Sequence, residues 1–294
     1  MKISSRNRRV GKQVVYYQTP GSLCEDFVDQ SRKTWDRLRV SKLAGISISE
    51  ESITDFNLLD LQIKHPYEIR TQKFNKRREA KVGADWEWWL GSRNLWLGVR
   101  CQAKKIDSAN LNYPCIDERN QYGRQIDLLI ANSLKHKPPI VPVFIFYNYW
   151  DVSRFDPHWL CLTYPKSLEM LGCSISHAVS IKPLLDQGHD GLRDIERIMY
   201  PWSCLVCCTG FSQGNSTLPF RAFDFLYNIL EKYVGKQIAS DFGADKRGEF
   251  ISQAPPIYVY KILEGELLSE EDWHGINVDR ITVIHEEVHE IHST

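Results

Sequence analysis

A chain of 294 residues with 43% apolar and 25% charged side chains has apolar material for one large domain or two modest ones, which excludes a disordered or collagen-like polymer. Its longest apolar run, Ile140 to Tyr149, contains a proline and reaches about half of the ~20 residues that a membrane-spanning helix needs. The formal charge is zero, yet residues 1–150 carry 25 Lys/Arg against 16 Asp/Glu and residues 151–294 carry 12 against 21, so a polyanionic partner for the first half is not excluded.

The chain opens with a basic arm, MKISSRNRRVGK, with no apolar segment behind it. No secretory signal is visible, and the expectation is a soluble, cytoplasmic protein with no membrane partner. A helix is expected over about 21–42, where Leu23, Phe27, Trp35 and Leu38 form an apolar stripe. Ser49 is a candidate N-cap for a second helix from Glu50 to about Lys64, closed by Pro66. A strand follows at about 67–74, then the charged turn KRRE, then DWEWWL, which alternates with period two, and after GSRN a third strand from Leu95 to Ile106. A helix at about 120–136 ends at Pro138-Pro139, and IVPVFIFYNYW reads as a strand buried on both faces.

Beyond Asp151 the signals are weaker. Strands are expected near 159–163, 177–182 and 257–262, and helices near 191–200 and 218–235. The division is a basic arm and helix (1–48), an α/β core (49–155) and an acidic α+β C-terminal region (156–294) packing on that core.

Eight cysteines in a chain of this length, without a signal peptide, read as reduced thiols. Cys204, Cys207 and Cys208 (CLVCC) hold one CxxC spacing, but no Cys or His partner follows at zinc-site spacing, so they read as buried core residues. HEEVH at His285–His289 fits a zinc-peptidase pattern, but RITVI before it alternates like a strand.

Four features fall on the α/β core in order. Glu50 and Glu51 begin the second helix, Glu79 lies in the turn before the second strand, Asp85 with Glu87 stands at that strand's mouth, and Gln102 with Lys104 shares one face of the third. A hairpin of those two strands brings Asp85 to the Gln102/Lys104 pair. Oxygen donors of this kind suit a hard divalent cation that polarises a phosphoryl oxygen, and a lysine beside them steadies the charge that develops.

These residues resemble a family. GADWEWW, then VRCQAKK, preceded by EESIT on a helix, looks like the PD-(D/E)XK restriction-endonuclease-like superfamily, closest to the Mrr-like branch in which glutamine gives D…QxK. An uncharacterised bacterial family also shares GADWEW…QAK. The resemblance covers about residues 49–150 and implies a central mixed sheet flanked by helices. Carried over by position, Asp85, Gln102 and Lys104 match the signature, and Glu51, or its neighbour Glu50, matches the first-helix glutamate. Tyr122 and Gln125 stand where the following helix often adds a polar residue, and Glu79 or Glu87 could offset the poorer ligand that Gln102 makes.

The resemblance implies a Mg²⁺- or Mn²⁺-dependent endonuclease with Asp85, Gln102 and Glu51 as metal ligands, double-stranded DNA as substrate and restriction of foreign DNA as setting. Superfamily nucleases often act as homodimers. Arg70, Lys73, Lys76, Arg77, Arg78, Lys81 and Lys105 are the expected phosphate contacts. The alternative is a non-catalytic nucleic-acid-binding or interaction protein that keeps the nuclease fold.

Overall fold

The computed structural model describes residues 22–74, 83–208, 217–242, 247–269, 271–272, 276 and 278–286, and of residues 236–242 the backbone alone. Helix α1 (Leu23–Ala44) starts in a capping box, Ser22 with Glu25, and stops at Gly45, whose φ of 67° lets it close the last turn. Helix α2 (Glu50–Lys64) has Ser49 as its N-cap, accepting from the Ser52 N–H, and both glutamates in its first turn. Then come β1 (Ile69–Lys73), β2 (Trp86–Ser92), β3 (Leu95–Lys105) and a small hairpin of β4 (Arg119–Asn120) and β5 (Gly123–Arg124). Helix α3 (Gln125–Lys135) leads to β6 (Val141–Tyr147), β7 (Cys173–His177), α4 (Ala178–Asp186), α5 (Leu192–Ile195), β8 (Tyr200–Pro201) and α6 (Cys204–Cys207). The chain continues through α7 (Leu218–Phe242, interrupted at Gly235), α8 (Arg247–Phe250), β9 (Ile251–Ser252), α9 (Ile257–Leu263) and β10 (Arg280–Glu286).

The strands form one mixed sheet in the order β1-β10-β2-β3-β6-β7-β8, with β9 added at the start of β3. Strand β10 pairs antiparallel with β1 and parallel with β2, β2 and β3 form the antiparallel hairpin, and β6 runs parallel to β3. The fold is therefore α/β, a central mixed sheet with helices on both faces. One face buries Trp86, Trp88, Ile53 and Leu61 with α1, α2 and α7; the other buries Trp89, Phe144, Phe146 and Leu129 with α3, α4 and α9. Burial on both sides is why β2 and β6 are apolar almost throughout. No helix among the described residues is long and apolar enough to cross a membrane.

Several elements of the second half differ from the sequence expectation. Residues 159–163 form no strand; the strand is Cys173–His177, and 178–186 is helical because His177 Nδ1 caps the Val179 N–H. Residues 257–263 form a helix, not a strand. Pro256 sits at the N-cap, and the buried residues, Val259 and Ile262, lie three apart. The C-terminal region also places β10 inside the sheet, between β1 and β2.

The reading of eight reduced thiols is corrected by a disulfide between Cys24 of α1 and Cys207 of α6. Disulfides persist in oxidising compartments, so this bond lends the cytoplasmic expectation no support.

Candidate functional site

The hairpin register pairs Trp86 with Cys101, so Asp85, one residue before β2, lies beside Gln102 and Ala103. Its backbone is held from both sides. The Asp85 N–H donates to the Cys101 carbonyl, and the Asp85 carbonyl accepts from the Asp279 N–H, each at 2.9 Å. The carboxylate Oδ2 accepts from the Ala103 N–H at 2.6 Å and from Gln102 Nε2 at 2.9 Å. Gln102 Nε2 also donates to the Ala103 carbonyl, while Gln102 Oε1 is buried with no hydrogen-bond partner among the described residues.

Lys104, on the same face as Gln102 and equally buried, donates from Nζ to Gln125 Oε1 at 2.8 Å. Gln125 is the first residue of α3, and its closeness depends on Gly83. That glycine has φ 70°, and a Cβ there would collide with the Gln125 carbonyl oxygen. The glycine of GADWEW thus seats the helix that carries the partner of Lys104.

From the other side of the sheet, α2 brings Glu50. Its Oε1 accepts from the Lys105 backbone N–H at 2.7 Å. Burial, the largest influence, raises the Glu50 carboxyl above the ordinary range. The Lys105 amide and the charges of Lys104 and Lys105 pull it down, and Asp85 adds to the rise. Two carboxylates therefore face a common space. It is a cleft of about 380 Å³ lined by residues that include Glu50, Glu51, Thr54, Asp85, Lys105 and Arg280.

Glu51 borders the same cleft but is ion-paired with Lys73 at 3.1 Å and Arg280 at 3.5 Å. Asp55 shares both cations, at 2.6 Å and 2.7 Å. Of the two helix glutamates, Glu50 is the one that faces Asp85 with no ion pair among the described residues, Lys104 and Lys105 acting on it only from a distance. Arg280, Asp279 and Thr54 were missed at the sequence level. Arg280 arrives from β10, more than a hundred residues beyond the motif, and only the insertion of β10 beside β2 brings it there.

Glu87 does not join this group, which corrects its reading as an auxiliary ligand. Its side chain is fully buried and accepts from Arg100 Nη2 at 2.6 Å, Arg100 Nε at 3.1 Å, Trp89 Nε1 at 3.0 Å and the Tyr258 hydroxyl at 3.0 Å. Burial, the largest single influence, pushes this carboxyl up, but its partners together, the Arg100 guanidinium foremost, outweigh burial and hold it below the ordinary range. Tyr122 stands exposed in the β4–β5 turn, where its N–H bonds Asn120, and is not among the cleft-lining residues.

Of the expected phosphate contacts, Lys73 is committed to its two carboxylates, Arg70 bonds the Pro66 carbonyl, and Lys105 Nζ bonds the Ile48 carbonyl beside the cleft. Lys76, Arg77, Arg78 and Lys81, with Glu79, lie outside the described residues, as does the N-terminal arm. His285 and Glu286 end β10, a strand rather than the helix a zinc peptidase needs. Glu286 is engaged by Arg221 at 2.7 Å, and His289 lies outside the described residues.

A comparison with curated proteins finds no match. The chain matches the model of a family of unknown function, DUF6615, over residues 23–290, and it belongs to that family.

Proposed function

We propose that the cleft at the mouth of the β2–β3 hairpin is the site of a cation-dependent nuclease that hydrolyses phosphodiester bonds of double-stranded DNA. The observation that carries this reading is that Asp85 and Glu50, from separate elements, line one cleft at the end of the sheet, with Gln102 bonded to Asp85 and the charge of Lys104 acting on Glu50. The donor set fits a hard divalent ion. Two carboxylates converge, one of them raised by burial, beside a buried amide oxygen that lacks a partner among the described residues.

Asp85, Glu50 and the Gln102 amide oxygen would hold Mg²⁺ or Mn²⁺, which would supply the positive charge that polarises a phosphoryl oxygen. The chain's own residues do the rest. Lys104, oriented by Gln125, donates to the attacking water or to the oxygens where negative charge builds. Glu50 accepts a hydrogen bond from that water and orients it. Lys105 offers positive charge to the flanking phosphates at the rim. The resemblance to the PD-(D/E)XK superfamily supports the same assignment and suggests restriction of foreign DNA, with a homodimer cutting the two strands.

A second reading has its own support. Asp85 is already satisfied by two donors and Lys104 by Gln125, so the same network could keep a nuclease-like scaffold folded as a non-catalytic DNA-binding protein.

The deciding experiment is cleavage of supercoiled DNA with Mg²⁺ or Mn²⁺ by the wild type, Asp85→Asn and Lys104→Ala. The nuclease reading expects cutting by the wild type and loss on the order of 10²–10³-fold or more in each variant. Cutting that survives both changes contradicts it. DNA binding without cutting, indifferent to Asp85 and to the cation, favours the scaffold reading.

A further inference from the structure

Five of the eight cysteines gather where α1, α6 and the segment before β7 meet. Cys24 and Cys207 are bonded to each other; Cys161, Cys204 and Cys208 are free, buried, and have their sulfur atoms all within 4.8 Å of one another. The other buried free thiols behave differently. Cys173 sits alone against Thr34 and Asn57, and Cys101 makes only a long contact to the Val99 carbonyl. Three thiols converging on one point is a different arrangement from a thiol filling space in a core.

Local structure builds the convergence. Helix α6 is a single turn, and the Cys208 N–H closes it by donating to the Cys204 carbonyl, which puts Cys204 and Cys208 one above the other on one side. Cys161 comes from a loop more than forty residues earlier. Donors on that loop point at the sulfurs: the Tyr164 N–H reaches Cys161 Sγ at 3.4 Å, and the Thr163 hydroxyl reaches Cys208 Sγ at 3.1 Å. Hydrogen bonds of this kind orient and support thiolate ligands from outside the coordination sphere.

The spacing selects the occupant. Zinc–thiolate bonds of about 2.3 Å at tetrahedral angles set ligand sulfurs about 3.8 Å apart, which a triad gathered within 4.8 Å meets with little movement. A multi-iron cluster puts iron and sulfide between its cysteines and needs a wider triangle. Sulfur donors also reject the hard cations suited to the Asp85 cleft.

We propose that Cys161, Cys204 and Cys208 form a three-thiolate site for one zinc ion, with the fourth position taken by water or a small exogenous ligand. Leu160 and Leu162, on either side of Cys161, line with Tyr200 a neighbouring cleft of about 470 Å³. The site is independent of the nuclease reading, since it shares no residue with the Asp85 cleft.

The test is metal analysis of the purified full-length chain, with Co²⁺ substitution as an optical probe. The wild type is expected to carry about one zinc per chain, and its Co²⁺ form to show the visible and thiolate charge-transfer bands of a tetrahedral sulfur site. Cys161→Ser and Cys208→Ser should lose both signals, while Cys115→Ser, Cys24→Ser and Cys207→Ser keep them. A folded wild type that takes up neither zinc nor Co²⁺ under reducing conditions overturns the proposal. Retention of the bands in Cys161→Ser and Cys208→Ser, or their loss in Cys207→Ser, overturns the ligand assignment.

Discussion

Asp85 and Glu87 stand two residues apart, the first expected from the sequence as a metal ligand and the second as an auxiliary one. Their surroundings are opposite. Glu87 is enclosed by Arg100, Trp89 and Tyr258, its charge matched and its carboxyl held low. Asp85 receives an amide N–H and a backbone N–H but, among the described residues, no cationic partner within hydrogen-bonding distance, and it faces Glu50, whose carboxyl is raised. One region spends its polar groups on holding β2 against β3; the other leaves two carboxylates with no ion pair among the described residues, beside open space. An acidic residue closed in by its own cation is structural, whereas a pair left short of one is where a cation from outside can bind.

The largest expected effect tests the structural half of this contrast. Arg100→Ala leaves Glu87 buried without its cation and should destabilise the chain by about 3–5 kcal/mol, read as a lower urea midpoint at an unchanged slope. An effect near that of a surface substitution would mean that Glu87 is not held by the pair.

Gln102→Glu sharpens the cleft half. In cation-free buffer it adds a third carboxylate and removes the donor to Asp85, a loss on the order of 1–3 kcal/mol, which Mg²⁺ or Mn²⁺ should largely restore. The readout is thermal stability with and without the cation. A loss that no divalent cation reverses would place Gln102 in packing rather than at a cation site.

The smallest expected effect concerns Glu50. Its folded-state carboxyl lies above the ordinary value, so folding favours the protonated form, and the stability from this group is full below the ordinary value and lost as pH rises through the raised one. In cation-free buffer Glu50→Gln should therefore melt slightly higher than the wild type at pH 8. The gap should close as the pH is lowered into the acid range, while the variant loses cleavage. A variant that melts lower at every pH would mean that the Glu50 charge is already compensated.

The first half was legible because its signals are local. Ser49 before two glutamates, the period-two alternation of DWEWWL and the double proline after the helix expected at about 120–136 each act within a few residues, and the elements they predict are present, that helix starting only at Gln125, after the β4–β5 hairpin. The partners of the site were less legible. Gln125 and Lys104 belong to one motif, but Arg280 and Asp279 enter from a strand whose pairing with β1 and β2 depends on long-range register. Glu87 misled for the same reason, since Tyr258 lies far along the chain. Cys161 is the third case. CLVCC shows no zinc spacing until a loop cysteine more than forty residues earlier folds against it.

The account rests most directly on Asp85 and not Glu87 being the cation-binding carboxylate. Mn²⁺ binding to the folded wild type, Asp85→Asn and Glu87→Gln, followed by electron paramagnetic resonance of the free ion, measures this. The prediction is saturable binding by the wild type, its loss in Asp85→Asn, and its persistence in Glu87→Gln. Binding that survives Asp85→Asn, or no binding by the folded wild type, would contradict the account.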